Sequence, residues 1–290
     1  MSIVVVNDAT HLGSRSWRTL VRAKLWLISV VTIAVILVFA VSGSLLAPYN
    51  PVEQLPQERL LGPWTRGSRG LYVFGTDELG RDVLSRTIQG ARLTLFIALM
   101  STLIGAVIGV SLGMIAGYRG GRIDRLVMRL TEAQTAMPMF LIALLLLSNL
   151  GPSIWNLIAI LPTYVWPTFA RIIRAEALRL RSTSFIEAAV ALGCSTPRIL
   201  WRHMFPNLVG RVGVLTAISC GQVILAEAGL SFIGAGVQGN DVTWGLLISS
   251  GRKYLAVAWW PSVFAGLAVG VTVFSLNGLS RRFTGQEGRR

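Results

Sequence analysis

The sequence predicts an all-α integral membrane protein with six transmembrane helices and both termini in the cytoplasm. Of its 290 residues, 53% are hydrophobic and 14% are charged, whereas a soluble domain carries about 25% charged residues. Its apolar runs are long enough to cross about 30 Å of hydrocarbon at about 1.5 Å per residue. The predicted spans cover residues 25–47, 93–117, 133–150, 154–170, 212–228 and 260–279.

The basic residues set the predicted orientation. The net charge of +14 comes almost entirely from arginine. Most of the 27 lysine and arginine side chains fall before the first span, after the last one, and in the loops that follow the second and fourth spans. Because Lys and Arg accumulate in cytoplasmic loops, these segments are predicted to lie inside. The basic residues lie between apolar segments rather than on one face or in one tail, which disfavours nucleic-acid binding.

The predicted organisation follows from these spans. It comprises a cytoplasmic tail at 1–24, a first transmembrane helix at 25–47, an external loop at 48–91, a five-helix transmembrane domain at 92–280 with a cytoplasmic loop at 184–207, and a C-terminal tail at 281–290.

Two features are absent from the sequence, and both bear on energy coupling. The interiors of the predicted spans contain no Asp, Glu, Lys, Arg or His, which argues against a proton- or sodium-coupled carrier. Neither Lys24 nor Lys253 stands in the Gly-Lys-Ser/Thr context of a phosphate-binding loop, so ATP hydrolysis would need a partner. The alternative to a protein driven by a partner ATPase is a secondary transporter or channel that needs no ATPase. A membrane sensor that uses the external loop as its receptor is a weaker alternative.

Four glycines recur at four-residue spacing along the second predicted span: Gly105, Gly109, Gly113 and Gly117. This spacing fits a seam of close packing between two helices. Glycine is also common in membrane helices generally, and the sequence favours neither interpretation.

The cytoplasmic loop carries signals for two short helices. Ser184 and Glu187 have the spacing of a capping box, in which each side chain satisfies a backbone N–H of the first turn. Gly193 is predicted to end this helix in the left-handed conformation. Ala188 and Ala189 are predicted to leave a bare helix surface that another protein can approach closely.

A second helix is predicted to begin at Thr196, the N-cap, with Pro197 in its first turn. Pro206 is predicted to end or kink it before the fifth span, because proline lacks a backbone N–H. The two helices together form either a plain connector or a contact surface.

Three charged residues precede the second span on the predicted outer side: Asp77, Arg81 and Asp82. We interpret them chiefly as local ion pairs and helix caps. Acid–base chemistry or a metal site is the less favoured interpretation, and contact with a partner protein on the outer side is a third.

The cytoplasmic loop resembles a known family. Glu187-Ala188-Ala189, then Gly193, then a tail ending at Pro206, is similar to the EAA loop of binding-protein-dependent ABC importer permeases. Residues 202–207, Arg-His-Met-Phe-Pro-Asn, resemble the variant found in the dipeptide/oligopeptide branch.

Three further motifs resemble the C-type permease of that branch. They are GTDELGRDVLSR within 74–86, GYRGGRID at 117–124, and EAGLSFIG at 227–234 followed by Trp244-Gly245. The resemblance covers roughly residues 74–280, and the motifs are specific jointly rather than singly.

The resemblance implies the type I ABC importer permease fold and a permease subunit of an ATP-driven dipeptide or oligopeptide importer in the bacterial cytoplasmic (inner) membrane. The implied partners are a second, B-type permease in a heterodimer, two ATPase subunits or domains, an extracytoplasmic substrate-binding protein and membrane lipid, without nucleic acid. The family also implies no enzymatic activity, catalytic residue, metal or cofactor in this chain, because the ATPase subunits bind ATP and magnesium. Importers of nickel or glutathione can share this permease type.

The same resemblance assigns contact with the ATPase to the cytoplasmic loop. The implied coupling residues are Ser184, Glu187, Ala188, Ala189, Gly193 and Pro206.

Overall fold

The computed structural model describes residues 9–238 and 241–287, with side chains described between residues 26 and 280 except at Ser44 and the gap. Helices dominate the described chain. They are α1 Ala9–Leu46, α2 Val83–Arg119, α3 Gly121–Ala136, α4 Met139–Leu150, α5 Ile154–Ile160, α6 Pro162–Arg181, α7 Ser184–Ala191, α8 Thr196–Arg198, α9 Phe205–Ile233, α10 Trp244–Gly251 and α11 Trp260–Glu287.

Short elements complete the described fold. Strands β1, Thr65–Gly67, and β2, Gly70–Tyr72, form an antiparallel hairpin. Residues Pro56–Glu58 and Arg252–Tyr254 form 3-10 turns, and Ile199–Met204 form a π-helical turn between α8 and α9.

Four helices of the described chain are long and apolar enough to cross a membrane, by length and composition. These segments are Trp26–Gly43, Val83–Arg119, Thr196–Ile233 and Trp260–Ser280. The bent pair α3 and α4 makes a fifth when it is counted as one span. These spans confirm a helical membrane protein, whereas the number six stays a prediction.

The third predicted span, 133–150, is not one straight helix. α3 ends at Ala136, α4 begins at Met139, and the two axes differ by 82°. The break lies at Met137-Pro138, where the proline ring pushes the preceding residue out of the helical region. Met137 accordingly has extended dihedral angles, φ −88° and ψ 132°.

The fourth predicted span, 154–170, is divided between two helices. α5 ends at Ile160, and Pro162 opens α6, where its missing N–H needs no partner. α6 then continues well beyond the predicted end, to Arg181.

The four-residue glycine spacing is a packing seam between α2 and α6. Gly113 lies so close to α6 that a Cβ built on it would stand 2.6 Å from the carbonyl oxygen of Ala170. At Gly117 a Cβ would stand 2.6 Å from the carbonyl oxygen of Arg174. A Cβ on Gly109 would also meet a carbonyl oxygen of α6, that of Trp166, whereas at Gly105 the nearest atom would be a side-chain carbon of Val165. Because backbone atoms oppose Gly109, Gly113 and Gly117, only glycine lets the two helices approach this closely there.

Residues 47–82, called the outer segment after their predicted side, are ordered against α2 and α11. The indole Nε1 of Trp260 donates to the carbonyl oxygen of Thr76 at 2.9 Å. The rings of Phe74 and Phe264 stack with centroids 3.9 Å apart. These contacts fix the outer segment to the start of α11.

Candidate functional site

Helix α7 ends in a Schellman motif at Gly193. The N–H of Gly193 donates to the carbonyl oxygen of Val190 at 2.9 Å, and the N–H of Cys194 to that of Ala189 at 3.0 Å. Gly193 has φ +73°, which glycine adopts without a Cβ penalty. The predicted helix stop is confirmed, and it fixes the length of α7 at eight residues.

The predicted capping box of Ser184 and Glu187 is wrong. Thr183 is the N-cap, and its carbonyl oxygen accepts from the N–H of Glu187 at 3.1 Å. The Thr183 hydroxyl donates backward to the carbonyl oxygen of Leu180 at 2.5 Å, at the end of α6. Ser184 is therefore the first helical residue, and no side chain caps α7.

The two faces of α7 differ sharply in exposure. Ile186 and Ala189 are buried in the same apolar cluster as Met204. The opposite side exposes Ser184, Glu187, Ala188 and Ala191. Two apolar side chains beside it are also exposed: Val190, at the edge of the buried face, and Leu192, the C-cap, which is 83% exposed. An eight-residue helix is thus anchored along one side and leaves apolar side chains exposed at its C-terminal end.

The predicted bare alanine surface is half correct. Ala188 is exposed, but Ala189 is 6% exposed because it faces the interior of the chain. Ser184, Glu187 and Gly193 are also exposed. Among the residues with described side chains, no ion pair involves Glu187.

The second predicted helix is continuous with the fifth span. Ser195, not Thr196, is its N-cap, and Pro206 lies in the first turn of α9 rather than at a helix end. Pro206 has no N–H to donate, and the helix continues through a π-helical turn just before it. In this turn the N–H of Phe205 donates to the carbonyl oxygen of Leu200, five residues earlier. The Asn207 side chain donates to the carbonyl oxygen of His203 at 2.6 Å.

Ion pairs join the helices on either side of α7. Glu176 of α6 pairs with Arg211 of α9 and with Arg179 of its own helix. Asp124 of α3 pairs with Arg174 of α6 through both carboxylate oxygens. The sequence does not predict these pairs, because the partners stand 35 and 50 residues apart.

Asp77 and Asp82 lie at the start of α2, both almost fully buried. Asp77 accepts from the Arg81 side chain at 2.7 Å and lies 3.4 Å from the Arg86 guanidinium. Asp82 is the N-cap of α2 and accepts from the Ser85 backbone and hydroxyl at 2.7 and 2.6 Å. These contacts are ion pairs and a helix cap, whereas contact with a partner stays a prediction.

Burial also acts on the titration of the Asp82 cap. Loss of solvent raises the pKa of the Asp82 carboxyl above its usual value, against an opposing effect of the hydrogen bonds from Ser85. The Asp82 carboxyl therefore accepts hydrogen bonds from uncharged donors at a site that is shielded from solvent.

The prediction that the span interiors hold no ionisable residue is wrong at Glu227. α9 extends to Ile233, so Glu227 lies more than one turn inside the helix, and it is 1% exposed. An acidic residue within an apolar helix is the sequence signal for such a site.

Two family matches account for most of the chain. Residues 109–285 match the family described as binding-protein-dependent transport system inner membrane component. The chain belongs to this family. Residues 12–63 match the N-terminal transmembrane domain of oligopeptide transport permease C.

Relatives resemble this permease along nearly its whole length. A dipeptide transport system permease protein of Bacillus subtilis is 35% identical over 263 residues, which cover 90% of this chain and 81% of the relative. A glutathione transport system permease protein of Pectobacterium atrosepticum is 30% identical over 261 residues, 90% of this chain and 86% of the relative. The permease is accordingly a multi-pass protein of the bacterial inner membrane.

The solved structure of the MetNI methionine ABC transporter, in an inward-facing conformation, shares the fold. The match has a TM-score of 0.58 at 18% identity and covers 70% of this permease and 96% of that chain. At this identity the likeness supports the type I importer permease fold alone.

Proposed function

We propose that this permease is a membrane subunit of an ATP-driven importer of dipeptides or oligopeptides, and that α7 couples it to an ATPase subunit. The exposure of α7 carries the proposal. A short helix that is buried along one side, exposed along the other, and followed by the exposed apolar side chain of Leu192 fits insertion into a groove of a partner protein. The names of the relatives, dipeptide and glutathione permeases, support a peptide substrate.

The proposed assembly contains two permeases, this chain and a related B-type chain, with two ATPase subunits and an extracytoplasmic substrate-binding protein. ATP-driven closure of the ATPase subunits would move both α7-type helices together and switch the permeases between inward-open and outward-open states. We assign the contact surface to Ser184, Glu187, Ala188 and Gly193, which are exposed. Ala189, which is buried, and Pro206, which is exposed in the first turn of α9, are assigned to positioning that surface.

We propose six membrane crossings with both termini in the cytoplasm. The bent α3–α4 pair would make the third crossing, and α5 with α6 the fourth. The arginine-rich segments around α3, α6 and the start of α9 then share the cytoplasmic side with α7.

The experiment that tests coupling places a charge on the exposed face of α7. Leu192→Asp puts a carboxylate where the groove would close over an apolar side chain, whereas Ser182→Asp puts the same charge on the exposed turn before α7. We expect Leu192→Asp to lower peptide uptake and binding-protein-stimulated ATP hydrolysis of the assembled complex at least tenfold, with little effect of Ser182→Asp. The same measurements on Glu187→Lys, which reverses the charge of an exposed residue of α7, extend the test.

Full coupling in both the Leu192→Asp and the Glu187→Lys complexes would refute the assigned role of α7. A pull-down in mild detergent tests the assembly separately. We expect an ATPase subunit and a second permease of similar size to copurify with the wild-type chain. A transport-active oligomer of this chain alone would instead support a secondary transporter or channel.

A further inference from the structure

Glu227 stands at a junction of two helices. Its Oε1 atom accepts a hydrogen bond from the hydroxyl of Ser231, one turn later in α9, at 2.8 Å. The same oxygen accepts from the hydroxyl of Thr243, the N-cap of α10, at 3.0 Å. The Thr243 oxygen in turn accepts from the N–H of Leu246 at 3.1 Å. Both hydroxyl protons are therefore directed at one carboxyl oxygen.

The second carboxyl oxygen of Glu227, Oε2, is buried and has no hydrogen-bond partner among the described residues. Within the same part of the chain, no cationic side chain forms an ion pair with Glu227. Arg252, at the far end of α10, is engaged elsewhere: its guanidinium lies 4.6 Å from the Phe232 ring and donates to the Phe232 carbonyl oxygen at 3.2 Å.

A carboxylate in this position would be costly. Its negative charge would be shared between both oxygens, and the share on Oε2 would face no donor in a desolvated site. A neutral acid avoids this cost because Oε1 acts as a carbonyl acceptor for two hydroxyls and the proton stays on Oε2. Burying an unpartnered hydroxyl costs far less than burying an unpaired ion.

We propose that Glu227 is held as a neutral carboxylic acid and that in this form it positions α10 against α9 and α2. This inference stands independently of the proposed transport function.

Further contacts show what the junction holds in place. The backbone N–H of Trp244 donates to the Thr94 hydroxyl at 3.0 Å, and its indole donates to the Thr87 carbonyl oxygen at 2.8 Å. A Cβ on Gly245 would stand 2.9 Å from the Cα of Ala228, so α10 touches α9 through backbone atoms. A charged Glu227 would draw water or a counter-ion into this contact, and a neutral one allows it to stay closed.

The protonation state is tested by infrared spectroscopy of the purified full-length chain at neutral pH. In the difference between wild type and Glu227→Gln, we expect the loss of one carbonyl stretching band of a protonated carboxylic acid. Glu53→Gln is the control, because Glu53 is a half-exposed carboxylate paired with Arg69. The control should lose a carboxylate band only. Loss of a carboxylate band in Glu227→Gln as well would overturn the proposal.

The positioning role is tested by thiol labelling at Val242, which is 4% exposed beside Thr243. In a chain carrying Val242→Cys and lacking Cys194 and Cys220, a maleimide should label the new thiol slowly while α10 is docked. We expect Glu227→Gln to keep this protection, since the amide oxygen can accept both hydroxyl protons. We expect Glu227→Ala to increase the labelling rate at least tenfold.

Glu227→Asp serves where the alanine variant does not fold, because it keeps a carboxyl group but withdraws it from Ser231 and Thr243. Faster labelling of Glu227→Asp than of Glu227→Gln supports the proposal, because it shows that α10 is held by a neutral oxygen acceptor long enough to reach Ser231 and Thr243. Labelling of Glu227→Gln as fast as that of the alanine or aspartate variant would show that a neutral acceptor does not hold α10 in place, and would overturn the proposal.

Discussion

The glycine seam between α2 and α6 gives a sharp prediction at Gly113. The change Gly113→Ala adds a single methyl group to the middle of the seam. The added Cβ would stand 2.6 Å from the carbonyl oxygen of Ala170 and 3.1 Å from the backbone nitrogen of Arg174. Both opposing atoms belong to the α6 backbone, so no side-chain rotation can make room.

The cost follows from the separation that the methyl group demands. Ordinary van der Waals contact of a Cβ begins at 3.4 Å, so the helices must move apart by about 0.8 Å at Gly113 (3.4 Å minus 2.6 Å). The same movement loosens the seam at Gly109 and Gly117, which lie one turn away on each side. Overpacking of this kind costs about 1–3 kcal/mol, against a gain of about 0.5–1 kcal/mol from replacing a helical glycine by alanine.

Gly266 of α11 provides the matched control, since a Cβ there meets no atom within 4 Å. We expect Gly113→Ala to lower the thermal unfolding midpoint of the purified chain in mild detergent. Gly266→Ala should leave the midpoint unchanged or raise it slightly. Equal or greater stability of Gly113→Ala relative to Gly266→Ala would refute the assignment of the seam.

Three further predictions concern the helix ends and the ion pairs. Gly193→Ala forces alanine into φ +73°, which should loosen the end of α7 and lower the stability of the chain by about 1–2 kcal/mol. Circular dichroism during unfolding measures this loss, and an unchanged unfolding midpoint would contradict it. Asp82→Ala removes the cap of α2 and should cost about 0.5–2 kcal/mol, with Asp82→Asn retaining most of it. Glu176→Arg should reduce uptake per ATP hydrolysed, and adding Arg211→Glu should restore at least half, with a coupling energy of about 0.5–3 kcal/mol. Arg179→Ala, a change at the exposed second partner of Glu176, should have little effect. Absence of recovery in the Glu176→Arg, Arg211→Glu double variant would rule out this ion pair as a link between α6 and α9.

The membrane class and most of the helical segments could be predicted from the sequence, because they depend on local composition. Apolar runs locate α1, α2, α9 and α11, and the left-handed preference of glycine locates the end of α7 at Gly193. The proline at Pro138 carried a signal for the bend between α3 and α4. That signal was outweighed by the continuous apolar run around it, since hydropathy reports burial in lipid and not the direction of the helix axis.

The capping of α7 shows a different limit. Ser184 and Glu187 have the correct spacing for a capping box, but α6 ends at Arg181 and Thr183 follows only two residues later as the N-cap of α7. Its hydroxyl is used by the preceding helix, and the backbone alone starts the next one. Spacing identifies groups that are able to pair, whereas competition from a neighbouring element decides which pair forms.

The sequence by itself determined a helical membrane protein of the binding-protein-dependent permeases, with the glycine stop at Gly193. These features depend on composition, motif and backbone preference, all of which act over a few residues. Only the tertiary structure decided that Ala189 faces inward, that the glycines of α2 meet the backbone of α6, and that Glu227 meets Thr243. Each of these facts joins residues far apart in the chain, and such contacts are fixed by how the helices pack.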